Sequence, residues 1–323
     1  MKTLATMSMF TFTQNIIRWM ALWSFFWVAV PSLRAQKCPL SYAATTTQLR
    51  LNDSLSIAYT EKGTGTTTLL MVHGLGGNLS HWSQNMDELS KSHRCIAIDL
   101  PGYGLSTSRS YSGESLSFYA RTLVEFIAKK KLTNVVLIGH SMGGQTAIIT
   151  VLQKSPAIKR LVLVAPAGLE TFSEAEATLL RQFATPTFYK AQGETAIRAA
   201  FASNFTTIPP TAETLIKDRL QLRNCEGFDT YCQVVSQGVN GMLAHPVQAQ
   251  LSQLTLPTLL IFGTDDKLIP NRILHKELTT LKVADIGKTQ IPNVRLELIP
   301  SAGHLVMFEQ PSSFNQLILN FLK

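Results

Sequence analysis

Ser141, an acid at Asp265 or Asp266, and His304 are the side chains in this sequence whose types and order could carry nucleophilic catalysis. Ser141 stands in Gly139-His140-Ser141-Met142-Gly143, a G-x-S-x-G pattern. A serine hydroxyl is a poor nucleophile until a base takes its proton, and the base in turn needs an acid to orient it. When such a serine sits on a sharp strand-to-helix turn, its partners follow in the order acid, then histidine. This chain meets that order. The expected chemistry is acyl transfer through a covalent intermediate.

The elements that would position these groups are legible around them. Val135-Val136-Leu137-Ile138 precedes the serine and reads as a buried strand, and Gly144 to Lys154 reads as a helix. A pentapeptide can occur by accident. A buried strand before it and a helix after it make it specific, because that turn strains the serine and lifts its hydroxyl above the sheet. Pro257 to Phe262 is a second buried-strand run, leading into Gly263-Thr264-Asp265-Asp266-Lys267-Leu268-Ile269-Pro270. Acids after a strand sit where open α/β sheets bind ligands. Val294 to Pro300 reads as the last strand, and Ser301-Ala302-Gly303-His304 as the loop before a closing helix. The residue after the nucleophile, Met142, would offer its N–H to the oxyanion of a tetrahedral intermediate.

With His73-Gly74-Leu75-Gly76-Gly77-Asn78 and Asp99-Leu100-Pro101-Gly102-Tyr103-Gly104-Leu105-Ser106 added, the chain from about Gln48 onward resembles the α/β-hydrolase fold family. Gly303-His304 followed by Glu309-Gln310-Pro311 completes the likeness. The resemblance implies a mostly parallel central sheet flanked by helices, with a helical cap inserted between core strands. It selects Asp266 over Asp265 as the acid. It places the second oxyanion donor on Leu75 and makes Asp99 structural. Trp82 follows the oxyanion loop and is expected to wall the substrate pocket. His140 reads as a packing and hydrogen-bonding residue, and His73 as an organiser of the oxyanion loop. No cofactor is expected, and no cysteine or histidine spacing suggests a metal.

The resulting layout is 1–35 as an export segment, 36–168 and 246–323 as the core, and 169–245 as the cap. Within the cap, Ser173 to Phe183, Gly193 to Asn204, Thr211 to Leu222 and Asp229 to Met242 read as helices, separated by Pro186, Pro209-Pro210 and Gly227. Residues 1–35 carry Lys2, Arg18 and Arg34 and no acid, with an apolar run from Trp19 to Val30. This resembles a secretory signal peptide cleaved after Ala35, although Leu33 is not small; retention as an uncleaved membrane anchor is the alternative. Gln36-Lys37 before Cys38 makes a poor lipidation site.

The formal charge is +8 over 323 residues, and those three basic residues leave +5 for the rest. Lys129-Lys130-Lys131 is the longest basic run, at a helix end where cations suit the dipole, so a nucleic-acid partner is not expected. Four cysteines are compatible with an oxidising compartment. Cys225 and Cys232 are placed to bridge if a loop lies between them, and Cys95 reads as a buried thiol. The expected partner is a small ester or acyl substrate. Carbon–carbon cleavage, terminal peptide cleavage and lactone hydrolysis use the same triad. A small-molecule receptor that retains the triad is the reading from another class.

Overall fold

The computed structural model describes residues 40, 42, 45–107 and 115–323. The expected export segment and Cys38 lie outside the described residues.

Two strands open the fold, β1 (Thr47–Asn52) and β2 (Leu55–Lys62), followed by β3 (Thr68–Val72), helix α1 (Ser83–Leu89), β4 (Arg94–Ile98) and α2 (Ser115–Lys129). Next come β5 (Val135–His140), α3 (Met142–Leu152) and β6 (Ile158–Val164). Five helices intervene: α4 (Glu174–Phe183), α5 (Pro186–Ala191), α6 (Glu194–Ala202), α7 (Glu213–Leu222) and α8 (Phe228–Ala244). The sheet resumes with β7 (Thr258–Gly263), α9 (Thr280–Gln290) and β8 (Val294–Ile299), and α10 (Val306–Glu309) and α11 (Pro311–Leu322) close the chain.

The eight strands form one sheet in the order β1-β2-β4-β3-β5-β6-β7-β8. The β1–β2 and β2–β4 pairs are antiparallel, and every later pair is parallel. Helices cover both faces, which is why β3, β5 and β7 are apolar without alternation and buried along their whole length. Successive side chains still divide between the faces. Leu70, Val72, Leu137, Leu163 and Leu260 pack on one side with Tyr103 and Phe126. Leu69, Met71, Val136, Ile138, Val162 and Leu259 pack on the other with Trp82, Phe308 and Phe314. Edge strand β8 is half-exposed and carries Arg295 and Glu297, charges that discourage pairing with another chain.

The helical segment differs from the sequence expectation in one element. Pro186 was expected to separate helices, yet it begins one. The Thr185 hydroxyl accepts the Phe188 N–H at 3.1 Å, and a proline in the first turn loses no needed donor.

That segment is held over the carboxyl ends of the central strands. The Tyr231 hydroxyl donates to the Gly76 carbonyl at 2.9 Å, and Gln145 Nε2 donates to the Met242 and His245 carbonyls at 3.0 and 2.7 Å. Gly238 of α8 leaves room for the side chains below it. A Cβ there would lie 2.5 Å from Leu75 Cδ1 and 3.2 Å from Met142 Sδ.

Candidate active site

Ser141 lies between β5 and α3 with φ 54° and ψ −120°, a conformation L-residues avoid. The turn is held because the Ser141 carbonyl accepts the N–H groups of Gly144, Gln145 and Ala167 at 2.9–3.1 Å. It also demands glycine on both sides. A Cβ on Gly139 would sit 2.3 Å from the Gly143 carbonyl oxygen, and one on Gly143 would sit 2.4 Å from the His73 carbonyl oxygen. The G-x-S-x-G spacing is therefore a steric requirement of this turn.

His304 follows β8, and its Nδ1 lies 2.8 Å from Asp266 Oδ2. The acid is fully buried, and its other oxygen, Oδ1, accepts the N–H groups of Leu268 and Ile269 at 2.8 and 3.0 Å. With every contact of the carboxylate a donor, the ring proton sits on Nδ1, and Nε2 of a neutral His304 is left as an acceptor. Asp265 is exposed, with its N–H bonded to the Ala302 carbonyl at 2.9 Å. Of the two neighbouring acids, Asp266 is the one that meets the imidazole.

Three more histidines surround this pair. Ring centroids run from His73 to His81 at 6.4 Å, His81 to His140 at 6.2 Å and His140 to His304 at 4.7 Å. His73 Nδ1 bonds the Gly74 carbonyl at 2.7 Å, and its Nε2 accepts the Leu100 N–H at 3.0 Å, which fixes its tautomer. Burial pushes His73 down to about 4. Burial, with His73 and His304 nearby, pushes His81 down to about 3. Burial also holds His140 well below the usual histidine range. All three are neutral near pH 7.

The side chains of Leu75 and Met142, residues read from the sequence as oxyanion donors, both pack against Gly238. Leu75 also lines a cavity of about 560 Å3 whose wall includes Ser141, His140, His81 and His304. Leu180, Tyr189, Val239 and Met242 contribute the apolar roof, and Glu170 and Asn271 stand at its side. Among the described lining residues there is no lysine or arginine.

Trp82 does not wall this cavity. It is completely buried in the core, its ring 6.2 Å from Phe314, and its predecessor His81 takes the place in the wall. The short helical turn Leu79–Trp82 directs consecutive side chains to different sides, so a one-residue shift changes which one meets the substrate.

A second cavity, of about 140 Å3, shares Leu75, His81, Ala200 and Asn204 with the first and is also lined by Arg219. The Arg219 guanidinium lies 4.3 Å from the Tyr231 ring centroid. Burial lowers its pKa to about 10, and its Nη1 has no hydrogen-bond partner among the described residues.

Some residues had no sequence signal for their place. Glu170 accepts the Asn271 N–H at 2.9 Å and contacts His275 Nδ1, and His275 Nε2 lies 3.3 Å from Glu176. Phe172 stacks on His275 with centroids 5.1 Å apart. This contact ties the start of the helical insertion to the loop that carries Asp266. Neither isolated charge nor spacing announced it. Arg219 was equally silent, a basic residue within an ordinary helical pattern.

Asp99 is structural, as the resemblance implied. It accepts the Leu79 N–H at 2.7 Å, the Leu105 N–H at 2.8 Å and the Tyr42 hydroxyl at 2.8 Å. The Cys225–Cys232 bridge is corrected. Cys232 is a free thiol, whereas Cys225 is disulfide-bonded, so the two do not pair. Cys225 stands in the turn before α8 and Cys232 within that helix.

Comparison with known proteins gives a consistent picture. Residues 67–311 match the model of a family described as alpha/beta hydrolase fold. The chain is 26% identical over 282 residues to the dihydrolipoyllysine-residue acetyltransferase component of an acetoin cleaving system from Cupriavidus necator, covering 87% of this chain and 70% of that one. It is 26% identical over 287 residues to a 2-hydroxy-6-oxononadienedioate/2-hydroxy-6-oxononatrienedioate hydrolase from Burkholderia vietnamiensis, covering 83% and 91%. The fold is similar to that of a probable hydrolytic enzyme from Pseudomonas aeruginosa PAO1, with TM-score 0.77, 23% identity and coverage of 88% and 96%.

Proposed function

The chain belongs to the α/β-hydrolase fold family, and from that premise we propose that it hydrolyses carboxylic esters through a serine-bound acyl intermediate. Ser141 is the nucleophile, His304 the base, and Asp266 the acid that fixes the imidazole. In the first step His304 Nε2 takes the hydroxyl proton as Ser141 Oγ bonds to the ester carbonyl carbon. The N–H groups of Leu75 and Met142 receive the resulting oxyanion; one such donor is worth about 3 kcal/mol. His304 then returns the proton to the leaving alkoxide as the C–O bond breaks. Water repeats the sequence on the acyl-enzyme and releases the acid.

The observation that carries this reading is the 2.8 Å contact of His304 with Asp266, with Ser141 and His304 lining one cavity. The chemistry of the wall supports a neutral substrate. Its described residues are mostly apolar and include Glu170 but no cation, a poor match for a dianion. The test is Ser141→Ala in the full chain. Wild type turns over p-nitrophenyl esters of graded acyl length many times per molecule and is labelled by a fluorophosphonate, and the variant does neither. Stoichiometric product from wild type would instead mark a small-molecule receptor.

Arg219 favours a second reading, carbon–carbon cleavage of an acid. The relative from Burkholderia vietnamiensis is named for a dioate, and a buried guanidinium with an open Nη1 beside the reaction cavity suits a carboxylate. The two readings part at Arg219→Met. Under the first, turnover of neutral esters stays within roughly threefold. Under the second, a keto-dioic substrate is cleaved by wild type and about a hundredfold more slowly by the variant.

The proposal extends to export from the cytoplasm. The disulfide at Cys225 and the acid-free, apolar start of the chain support it. N-terminal sequencing of protein from the exported fraction separates cleavage after Ala35 from an intact anchor beginning at Met1.

A further inference from the structure

We propose that the mouth of the reaction cavity is a docking surface for a neutral lipid bilayer, which delivers long-acyl substrate directly from the membrane. The proposal rests on the ester reading for its substrate and on independent observations for its surface. Helices α4 and α5 turn Leu180 and Tyr189 into the cavity wall. On their outer side they leave large apolar groups in solvent: Leu179, Phe183 at 64% exposure and Phe188 at 49%. Leu179 and Phe183 are four residues apart on one helix face.

Across the mouth, the loop after Asp266 does the same. Leu268 lines the cavity and is 39% exposed, and Ile273, two residues beyond the lining residue Asn271, is 83% exposed. These two groups adjoin, because His275 of that loop is 3.3 Å from Glu176 of α4. Five of the eight exposed large hydrophobics among the described residues therefore lie on the two helices and the loop that wall the cavity, and clustering of this kind marks an interaction surface.

Two further features select a bilayer as occupant. The first is where the undescribed part of the chain attaches. Residues 1–39 contain the apolar run Trp19–Val30. Leu40, the first described residue, packs on the core, and the Tyr42 hydroxyl bonds Asp99 just beyond the carboxyl end of β4. Ser141, Asp266 and His304 follow the carboxyl ends of β5, β7 and β8, the same end of the sheet as Asp99 and its partner Tyr42. The second is charge. On the helix side Arg181 is paired with Glu174 at 2.8 Å and Lys190 with Asp229 at 2.7 Å, and on the loop side Lys267 Nζ and Arg272 Nη2 donate to the Phe205 and Asp266 carbonyls at 2.9 and 2.8 Å. Docking is then led by apolar insertion into the headgroup boundary.

The test uses the full chain with a polarity-sensitive fluorophore on Phe183→Cys, on Phe188→Cys and, as a control on α9, on Leu281→Cys. The native free thiols Cys95 and Cys232 are buried. On phosphatidylcholine vesicles carrying brominated acyl chains, the labels at 183 and 188 are quenched about threefold and the label at 281 is not. Absence of quenching at both rim positions in vesicle-bound protein overturns the proposal. So does a label shift that depends on protein concentration without lipid, which marks a second copy as the occupant. A functional arm compares wild type with Phe183→Ser/Phe188→Ser. Hydrolysis of a long-acyl ester held in vesicles falls about tenfold, while a soluble short ester stays within about twofold; equal loss on both overturns the proposal. If wild type hydrolyses neither ester, the ester reading falls, and the quenching arm still decides the docking.

Discussion

His140 Nε2 lies 3.0 Å from the backbone carbonyl of His304, so the residue before Ser141 braces the loop that carries His304. The two residues are 164 positions apart, and this bond joins the ends of β5 and β8 across the top of the sheet. His140→Leu removes the donor and leaves a buried carbonyl unpaired, a cost of about 1–2 kcal/mol. The expected result is a roughly tenfold fall in kcat with little change in KM. His140→Gln, which keeps a donor, is expected to recover most of the loss. Steady-state kinetics on a soluble ester reads both, and equal activity in all three proteins would remove the bracing role.

Asp266→Asn is expected to abolish turnover while leaving the fold intact, for a reason specific to this acid. Its Oδ1 receives two backbone N–H groups, so the amide oxygen of asparagine is held there. The NH2 group then faces His304 Nδ1 and forces that nitrogen to accept. The ring proton moves to Nε2, and no base faces Ser141. A loss in kcat of about 10⁴ follows. Asp265→Asn serves as the control, because that exposed side chain does not meet the imidazole.

Why these groups were readable in the sequence, and others were not, follows from what fixes each. The strands announced themselves because a sheet covered on both faces requires unbroken apolar runs such as Leu69 to Val72 and Leu259 to Phe262. Gly139 and Gly143 were visible because the turn at Ser141 excludes every larger residue. Asp266 and His304 were legible as strand-end residues, and resemblance narrowed Asp265 and Asp266 to the one that meets the imidazole. Trp82 failed because a residue's side of a short helical turn is set by packing against Phe314, far away in the chain. Glu170, His275 and Arg219 were silent for the same reason. Their meaning lies in partners up to 105 positions distant, and no local pattern encodes such a pair.

The strain at Ser141 gives an expectation of opposite sign for stability and activity. Its φ of 54° with ψ of −120° is unfavourable for any residue with a Cβ and easy for glycine. Ser141→Gly removes the proposed nucleophile and is expected to stabilise the fold by roughly 1–2 kcal/mol, raising Tm by a few degrees. Ser141→Ala keeps the Cβ and should show no such gain. Thermal unfolding of the three proteins at one pH decides it, and a Ser141→Gly protein that melts no higher than Ser141→Ala would show that the turn is unstrained.

The neutral histidines around the site make stability fall on the acid side. Burial holds His73 down to about 4 and His81 down to about 3, while in the unfolded chain both titrate near 6.5. Between those limits the unfolded state binds protons that the folded state refuses, so the slope of unfolding free energy against pH is positive. The stabilisation is whole above pH 6.5, declines as pH falls toward 4, and is fully lost below about 3. Each group contributes a slope of up to about 1.4 kcal/mol per pH unit. His81→Gln fills similar space and cannot take up a proton. Denaturant titrations between pH 7 and pH 4 are therefore expected to show a shallower decline for His81→Gln than for wild type. Parallel curves would mean that His81 accepts its proton in the folded protein, and that the wall beside Ser141 is wetter than its burial indicates.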